Sequence, residues 1–213
     1  MNYLQLVNKV LIRLRENEVT SVQESPYSKL IGEFVNVVKR EVEDTYNWSA
    51  LRSTISVTTT AGIYSYELTS STTRCKIIDV INDTDDYELR YQTTKWFDKQ
   101  FLAGNVAPNR PEFWNLNGVS TNGDHLIDLY PIPDAAYTVR VNLVKPQADL
   151  EDDADVINIP YQIVVEGAVA RAISERGDDG GYTEQEQRYN RILSDYIAAE
   201  AGSRPDESLW YAV

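Results

Sequence analysis

Residues 26–58 read PYSKLIGEFVNVVKREVEDTYNWSALRSTISVT, and within them the apolar period changes from helical to alternating. Ser25 is placed to cap the exposed amides of a first helical turn. Pro26 fits the first helical position, where its missing N–H costs nothing. Leu30, Ile31, Phe34, Val38, Val42 and Tyr46 recur at helical spacing. Lys39, Arg40, Glu41, Glu43 and Asp44 fall largely on the other side. The spacing predicts one long amphipathic helix over 26–50. Thr54-Ile55-Ser56-Val57-Thr58 then alternates with period two, so Trp48-Ser49-Ala50-Leu51 is a joint between a helical layer and a β layer. No catalytic group sits in it.

Upstream, Asn2 and Gln5 hold the spacing of a capping box. Leu4, Val7, Leu11 and Leu14 form the apolar stripe of a first helix. A polar connector over Asn17–Glu24 lets the two helices lie antiparallel. Downstream, the β pattern runs from Ser53 to Gln147. Ile55, Val57 and Thr59 alternate up to a turn at Ala61-Gly62, and Tyr64, Tyr66 and Leu68 alternate on the return. Lys76–Asn82 is a nearly continuous apolar run, predicting a strand buried on both faces. After turn chemistry at Asp83–Asp86, Tyr87, Leu89 and Tyr91 alternate. Trp96, Phe97 and Phe101 predict a short helix near 94–103, ended by Gly104. Phe113–Val119 and His125–Tyr130 flank Asn122-Gly123, a strong hairpin signal. Val139, Val141 and Leu143 mark the last strand. Six or seven short strands with regular turns predict a sandwich or barrel.

Glu151-Asp152-Asp153-Ala154-Asp155 reads as an acidic linker. Pro160 opens a third helix through Val164, Ala168, Ala172 and Ile173, ended by Gly177. Thr183 and Glu186 predict a capping box for a fourth, lined by Tyr189, Ile192, Leu193, Tyr196 and Ile197 and ended by Gly202. The expected fold is α+β. A helical bundle (1–52 and 156–202) is assembled from both ends of the chain, with an antiparallel β domain inserted (53–150). A C-terminal arm follows (203–213). The arm carries Leu209, Trp210, Tyr211 and Val213, large apolar side chains that are a liability unless something covers them. Fully extended, the arm reaches on the order of 36–40 Å. Leaving the parent subunit to dock elsewhere is the expected use of these four residues; folding back on its own bundle is the alternative.

The chain of 213 residues has a net charge of −13. Such a surface argues against gripping nucleic acid or an anionic membrane, both of which need clustered Lys and Arg. It does not exclude a wall past which nucleic acid slides without sticking, because like charge repels. The single Cys75 excludes an internal disulfide and a thiolate zinc cage. No signal peptide is read at the start, and the most apolar window, Ile163–Ile173, is broken by Glu166 and Arg171 and too short to span a bilayer. A soluble protein made in a reducing cytoplasm is the expectation. His125, the only histidine, is expected on an edge strand, and Cys75 in a core. Asp83–Asp86 and Glu151–Asp155 could hold calcium, but neither has EF-hand spacing. No GxGxxG or Walker loop is present. No catalytic residue, metal or cofactor is expected.

The stretches Tyr3-Leu4-Gln5-Leu6-Val7-Asn8-Lys9-Val10-Leu11, Asn47-Trp48-Ser49-Ala50-Leu51-Arg52, Asn122-Gly123-Asp124 running into Asp128-Leu129-Tyr130-Pro131-Ile132-Pro133, and Ala170-Arg171-Ala172-Ile173-Ser174-Glu175-Arg176-Gly177 occur in order over nearly the whole chain. Together they resemble the head-to-tail adaptors of tailed phages, in particular the tail tubular protein A type of short-tailed phages. The resemblance implies a non-enzymatic virion protein at the head–tail junction, made in the host cytoplasm. It implies a dodecameric ring beneath the portal protein that carries the tail tube or nozzle and leaves a lumen for ejected genomic DNA. It also implies that the C-terminal arm reaches the portal or a neighbouring subunit, with no membrane involved. Two other readings stand beside it: a carbohydrate-binding β module on a helical stalk, and an acidic metal-dependent hydrolase.

Overall fold

The computed structural model describes residues 1–69, 71, 74–104, 107–177 and 181–203. It is a mixed α+β chain with two compact units: Met1–Leu51 together with the described residues from Gln147 onward, and Arg52–Pro146.

In the helical unit, α1 (Tyr3–Arg13) starts with the expected capping box. Asn2 Oδ1 accepts from Gln5 N at 2.9 Å, and Gln5 Oε1 accepts from Asn2 N at 3.1 Å. Its buried stripe is Tyr3, Leu6, Val7, Val10 and Leu11; Leu4 is only half-buried. The remaining first-turn amides find acceptors in the acidic segment: Tyr3 N donates to Asp155 O (2.8 Å) and Leu4 N to Asp153 O (3.2 Å). Asp153 Oδ1 also accepts from Val22 N at 3.0 Å. Residues 151–155 are therefore a linker that stays largely exposed and whose backbone also caps α1.

α2 (Pro26–Thr45) opens as expected, with Ser25 Oγ accepting from Ser28 N at 3.0 Å. It stops at Thr45, short of residue 50, because Tyr46 is extended (φ −145°, ψ 160°) and the chain re-enters a 3-10 turn at Ser49–Leu51. Trp48 fixes this bend: it is buried, and its indole N–H donates to Val42 O at 2.7 Å, filling one of the last-turn acceptors. Two side chains expected on the solvent side are inside. Lys39 and Glu43 are a fully buried i,i+4 pair at 3.3 Å. Lys39 Nζ donates to Gln147 O at 2.8 Å, and Glu43 Oε1 accepts from Gln147 N at 3.3 Å. The returning chain thus supplies what lets two charges leave water.

α4 (Tyr161–Arg176) follows Pro160 and ends at Gly177, whose φ of 68° is the left-handed C-cap that glycine adopts without strain. It is buried nearly all round, against α1, α2 and α5 (Tyr182–Gly202). α5 starts after Gly181 without a side-chain cap. The expected Thr183/Glu186 capping box does not form, because the helix begins two residues earlier, at Tyr182, and Thr183 already lies within its first turn. The connection at 178–180 and the arm from 204 lie outside the described residues.

The second unit holds two four-stranded sheets. One has the order β1 (Arg52–Thr58), β8 (Thr138–Val144), β3 (Lys76–Asn82), β4 (Tyr87–Glu88); the other has β2 (Ser65–Glu67), β7 (His125–Tyr130), β6 (Phe113–Val119), β5 (Arg90–Tyr91). All neighbours are antiparallel except β5 and β6. One core takes residues from both sheets, Val80, Val139, Val141 and Leu143 with Trp114, Ile127 and Leu129, so the unit is a sandwich. The β6–β7 hairpin forms as expected. The expected hairpin through Ala61-Gly62 does not. Thr59 N and Gly62 N donate to Tyr137 O and Pro133 O, which sends β2 into the other sheet. Likewise Tyr87 and Tyr91 belong to different sheets. β3 is not buried on both faces: a register shift between Ile77 and Asp79 leaves Ile78 exposed. α3 (Thr94–Leu102), capped by Thr93 Oγ1, forms where expected.

Candidate interaction surfaces

Leu209, Trp210, Tyr211 and Val213, the expected interface residues, lie outside the described residues. The described surfaces have to be built from other groups.

Glu166 is the polar centre of the helical unit. It sits in the middle of the apolar α4 and is buried. Arg13 Nη1 of α1 approaches Oε1 at 2.7 Å, while Arg188 Nε and Gln185 Nε2 of α5 approach Oε2 at 3.3 and 2.6 Å. A carboxylate so enclosed meets a guanidinium on each oxygen, and its effect is to join three helices. Beside it, Gly167 lets α2 and α5 close in. A Cβ there would stand 2.6 Å from Val38 Cγ1 and 3.0 Å from Tyr189 Cε2. At the other end of α4, Arg176 closes the unit. Its Nε donates to Tyr27 Oη at 2.8 Å and its Nη2 to Glu16 Oε1 at 2.6 Å, and its guanidinium stacks on the Tyr27 ring at 5.0 Å. Burial pushes the Tyr27 hydroxyl pKa up, opposed by the Arg176 charge. Burial also pushes Tyr3 up to about 12, helped by the charges of Glu33, Asp149 and Asp153.

Two shallow grooves lie on this unit. One, of about 400 Å³, runs between α1 and α4 past Lys9, Ile12, Tyr161 and Val165. Ile12 is 53% and Tyr161 41% exposed, and Lys9 Nζ lies 4.8 Å over the Tyr161 ring. The other, of about 360 Å³, is lined by Phe34, Glu41, Arg171 and Tyr189 among others, with Arg171 and Glu41 ion-paired across it.

In the β unit, α3 covers the outer face of β6 and β7. Trp96, Phe97 and Phe101 meet Phe113 and Tyr130 at inclinations between 51° and 86°. These rings pack edge against face as a small core and form no flat platform of the kind a sugar ring stacks on. Under the same helix, Asn115 Nδ2 donates to Thr94 Oγ1 (3.1 Å) and Asn117 Nδ2 to Asp128 Oδ2 (2.7 Å), in a setting with a single carboxylate. Among the described residues no three His, Cys, Asp or Glu side chains stand close enough to share a metal ion. His125 is not on an edge: β7 lies between β2 and β6. Its backbone N–H, not its imidazole, donates to Ser71 Oγ at 2.8 Å, and its Nε2 is buried with no partner among the described residues. Cys75 packs at the rim of the sandwich core. Asp155 Oδ2 accepts from Glu151 N (2.8 Å) and Asp152 N (2.9 Å), and these bonds hold its pKa below the usual carboxylate range. The acidic segment is thus a hydrogen-bonded loop.

Sequence reasoning passed over Glu166 as a break in an apolar run; a lone acidic residue there was the available signal. Among curated proteins, none matches the chain. A family model described as SU10 adaptor protein matches residues 1–209, across both compact units. The chain belongs to the SU10 adaptor protein family, a family of phage head–tail adaptors.

Proposed function

We propose that this chain is a ring subunit at the phage head–tail junction. It joins the portal protein to the tail tube or nozzle as one of about twelve copies, and genomic DNA passes through the lumen during ejection. Membership in the adaptor family makes it a structural protein of that junction that interacts with other head and tail components. The observation that carries the finer reading is the extent of the match, which spans the helical unit, the β unit and most of the arm. The net charge of −13 supports a lumen that does not retain DNA. Among the described residues, no helix is long and apolar enough to cross a membrane. The inclined aromatic rings weigh against a sugar-binding module, and the dispersed carboxylates weigh against a metal-dependent hydrolase.

Assembly then follows from charge and valency. The same negative charge opposes self-association in free solution. Docking on a preformed portal engages many arms at once, and effective concentration turns weak single contacts into a strong sum. Trp210 and Tyr211 are the arm's main anchors, since buried aromatics dominate interfaces. Cryo-electron microscopy of the particle tests the reading: a ring of this chain between portal and tail is expected, and its absence from that joint refutes it. A Trp210→Ala, Tyr211→Ala double variant that binds portal as the unaltered chain does would refute the anchor assignment.

A further inference from the structure

Each sheet of the β unit has two edges, formed by β1 and β4 in one and by β2 and β5 in the other. β4 and β5 have two residues each and β2 has three, whereas β1 has seven. Proteins blunt exposed edges by shortness, proline, bulges or central charges. β1 uses none of these. Its only charged residue, Arg52, stands at its start, and its register with β8 is unbroken from Arg52↔Val144 to Thr58↔Thr138.

The ladder fixes which backbone groups look outward. One step past the strand, Thr59 N donates to Tyr137 O at 2.8 Å; on the far side of β8, Asp83 N donates to Thr138 O at 2.8 Å. Antiparallel pairs alternate between bonded and non-bonded. Ile55 and Val57 therefore bond to β8, while the N–H and C=O groups of Thr54, Ser56 and Thr58 point away from it. On the inner face the core is unfinished at this edge. Ile55 and Val57 are only partly buried, while Val139, Val141 and Leu143 on the next strand are exposed by 1% or less.

We propose that the β1 edge takes an added strand, and that this strand is residues 208–213, Ser-Leu-Trp-Tyr-Ala-Val, of a second copy of the chain. The inference rests on reading the C-terminal stretch as an arm between subunits. The stretch is rich in the residue types that favour strands and holds no proline or charged side chain. Its six residues extend about 20 Å, against about 23 Å for β1. With period two, Leu209, Tyr211 and Val213 continue the row of Ile55 and Val57 and close the core. Trp210 and Ala212 fall on the side of Thr54 and Ser56. Parallel addition sets Asp206 and Glu207, which precede the stretch, beside Arg52.

A fluorescent peptide of residues 204–213 is titrated onto the full chain, and amide exchange is followed on the full chain. Saturable binding is expected, with slower exchange at Thr54, Ser56 and Thr58. Ser56→Pro removes an N–H that faces away from β8, so an edge strand tolerates it. It should weaken the peptide by about tenfold or more through lost ladder bonds. Ser56→Ala keeps the N–H and should bind as the unaltered chain does. Binding that protects other amides and ignores Ser56→Pro overturns the edge assignment and leaves the arm reading standing. Protection of β1 that is present at every dilution overturns the second copy in favour of the same chain. Association that survives deletion of 204–213 and fails in Ser56→Pro overturns the arm strand in favour of β1 pairing with β1. Absence of peptide binding overturns the inference, and it takes the arm reading with it if particles also assemble with a chain ending at Ser203.

Discussion

Replacing Glu166 with glutamine should loosen α5 before it unfolds anything else. No described residue of α5 is buried, so this helix has little apolar area holding it to α4. Near its start its polar attachment converges on one carboxylate, which is 3% exposed and receives Arg188 and Gln185 of α5 together with Arg13 of α1, while further along Tyr196 Oη donates to Gln162 Oε1 and Glu200 Oε1 accepts from Ser49 N. Glu166→Gln preserves volume and can still accept from Gln185, but it removes the charge that both guanidiniums face.

The magnitude follows from exposure. Removing one partner of a fully buried pair costs about 3–5 kcal/mol, and of an exposed pair about 0–1 kcal/mol. Arg13 is 29% exposed at 2.7 Å, so its share is about 1.5 kcal/mol on that scale. Arg188 is 51% exposed at 3.3 Å, and solvent reduces its share to about 0.5 kcal/mol. The sum, about 2 kcal/mol, bears on unfolding of the helical unit, whereas the opening of α5 alone feels the Arg188 share of about 0.5 kcal/mol, a roughly twofold change, because Arg13 stays with α1. Amide exchange along α5, with urea unfolding followed by circular dichroism, measures it. A double-mutant cycle with Arg13→Met should show a coupling of about 1 kcal/mol or more. A loss below about 0.5 kcal/mol with unchanged α5 exchange, within the range of ordinary surface changes, would refute the view that Glu166 holds α5.

Other expectations follow from the same contacts. Gly32→Ala should destabilise the helical unit by about 1–3 kcal/mol in urea unfolding, since its Cβ would meet Val22 Cγ1 at 3.0 Å and the Tyr3 ring at 3.1 Å. Lys39→Met alone should cost about 3–5 kcal/mol by stranding Glu43, while Lys39→Met with Glu43→Leu should recover most of it; equal losses in both variants would contradict a matched buried pair. The depressed pKa of Asp155 means its contribution is present above the ordinary aspartate value and disappears as pH falls through the folded value. Asp155→Asn should therefore lower stability at neutral pH, leave the most acidic buffers little changed and so flatten the acid side of the stability–pH curve, as read from urea midpoints between acid and neutral buffers.

The local signals that the sequence carried were those written in short range. Asn2 with Gln5, Ser25 with Pro26, Gly177 after α4 and Asn122-Gly123 between β6 and β7 each act within a few residues, so each was legible. What failed was set by distant partners. Lys39 and Glu43 read as solvent-facing because their satisfying groups come from Gln147, over a hundred positions away. The strand expected to fold back on β1 went elsewhere because β8, from the other end of the β unit, takes that place. α5 was given a capping box that its own start bypasses. The candidate surfaces were least legible of all, since an open strand edge is a property of sheet order, and sheet order has no local signature.

The helical unit also shows how a chain can be interrupted by a whole sandwich and still close. The apolar stripes of α1, α2 and α4 would tolerate several ways of sliding past one another. The polar contacts between its two halves would not. Asn36 exchanges two hydrogen bonds with Leu150, at 3.0 and 2.9 Å, Asp153 takes the Val22 N–H, Arg13 meets Glu166, and Arg176 meets Glu16 and Tyr27. Each is directional and is satisfied only in one register, so together they specify the closure that hydrophobic burial drives.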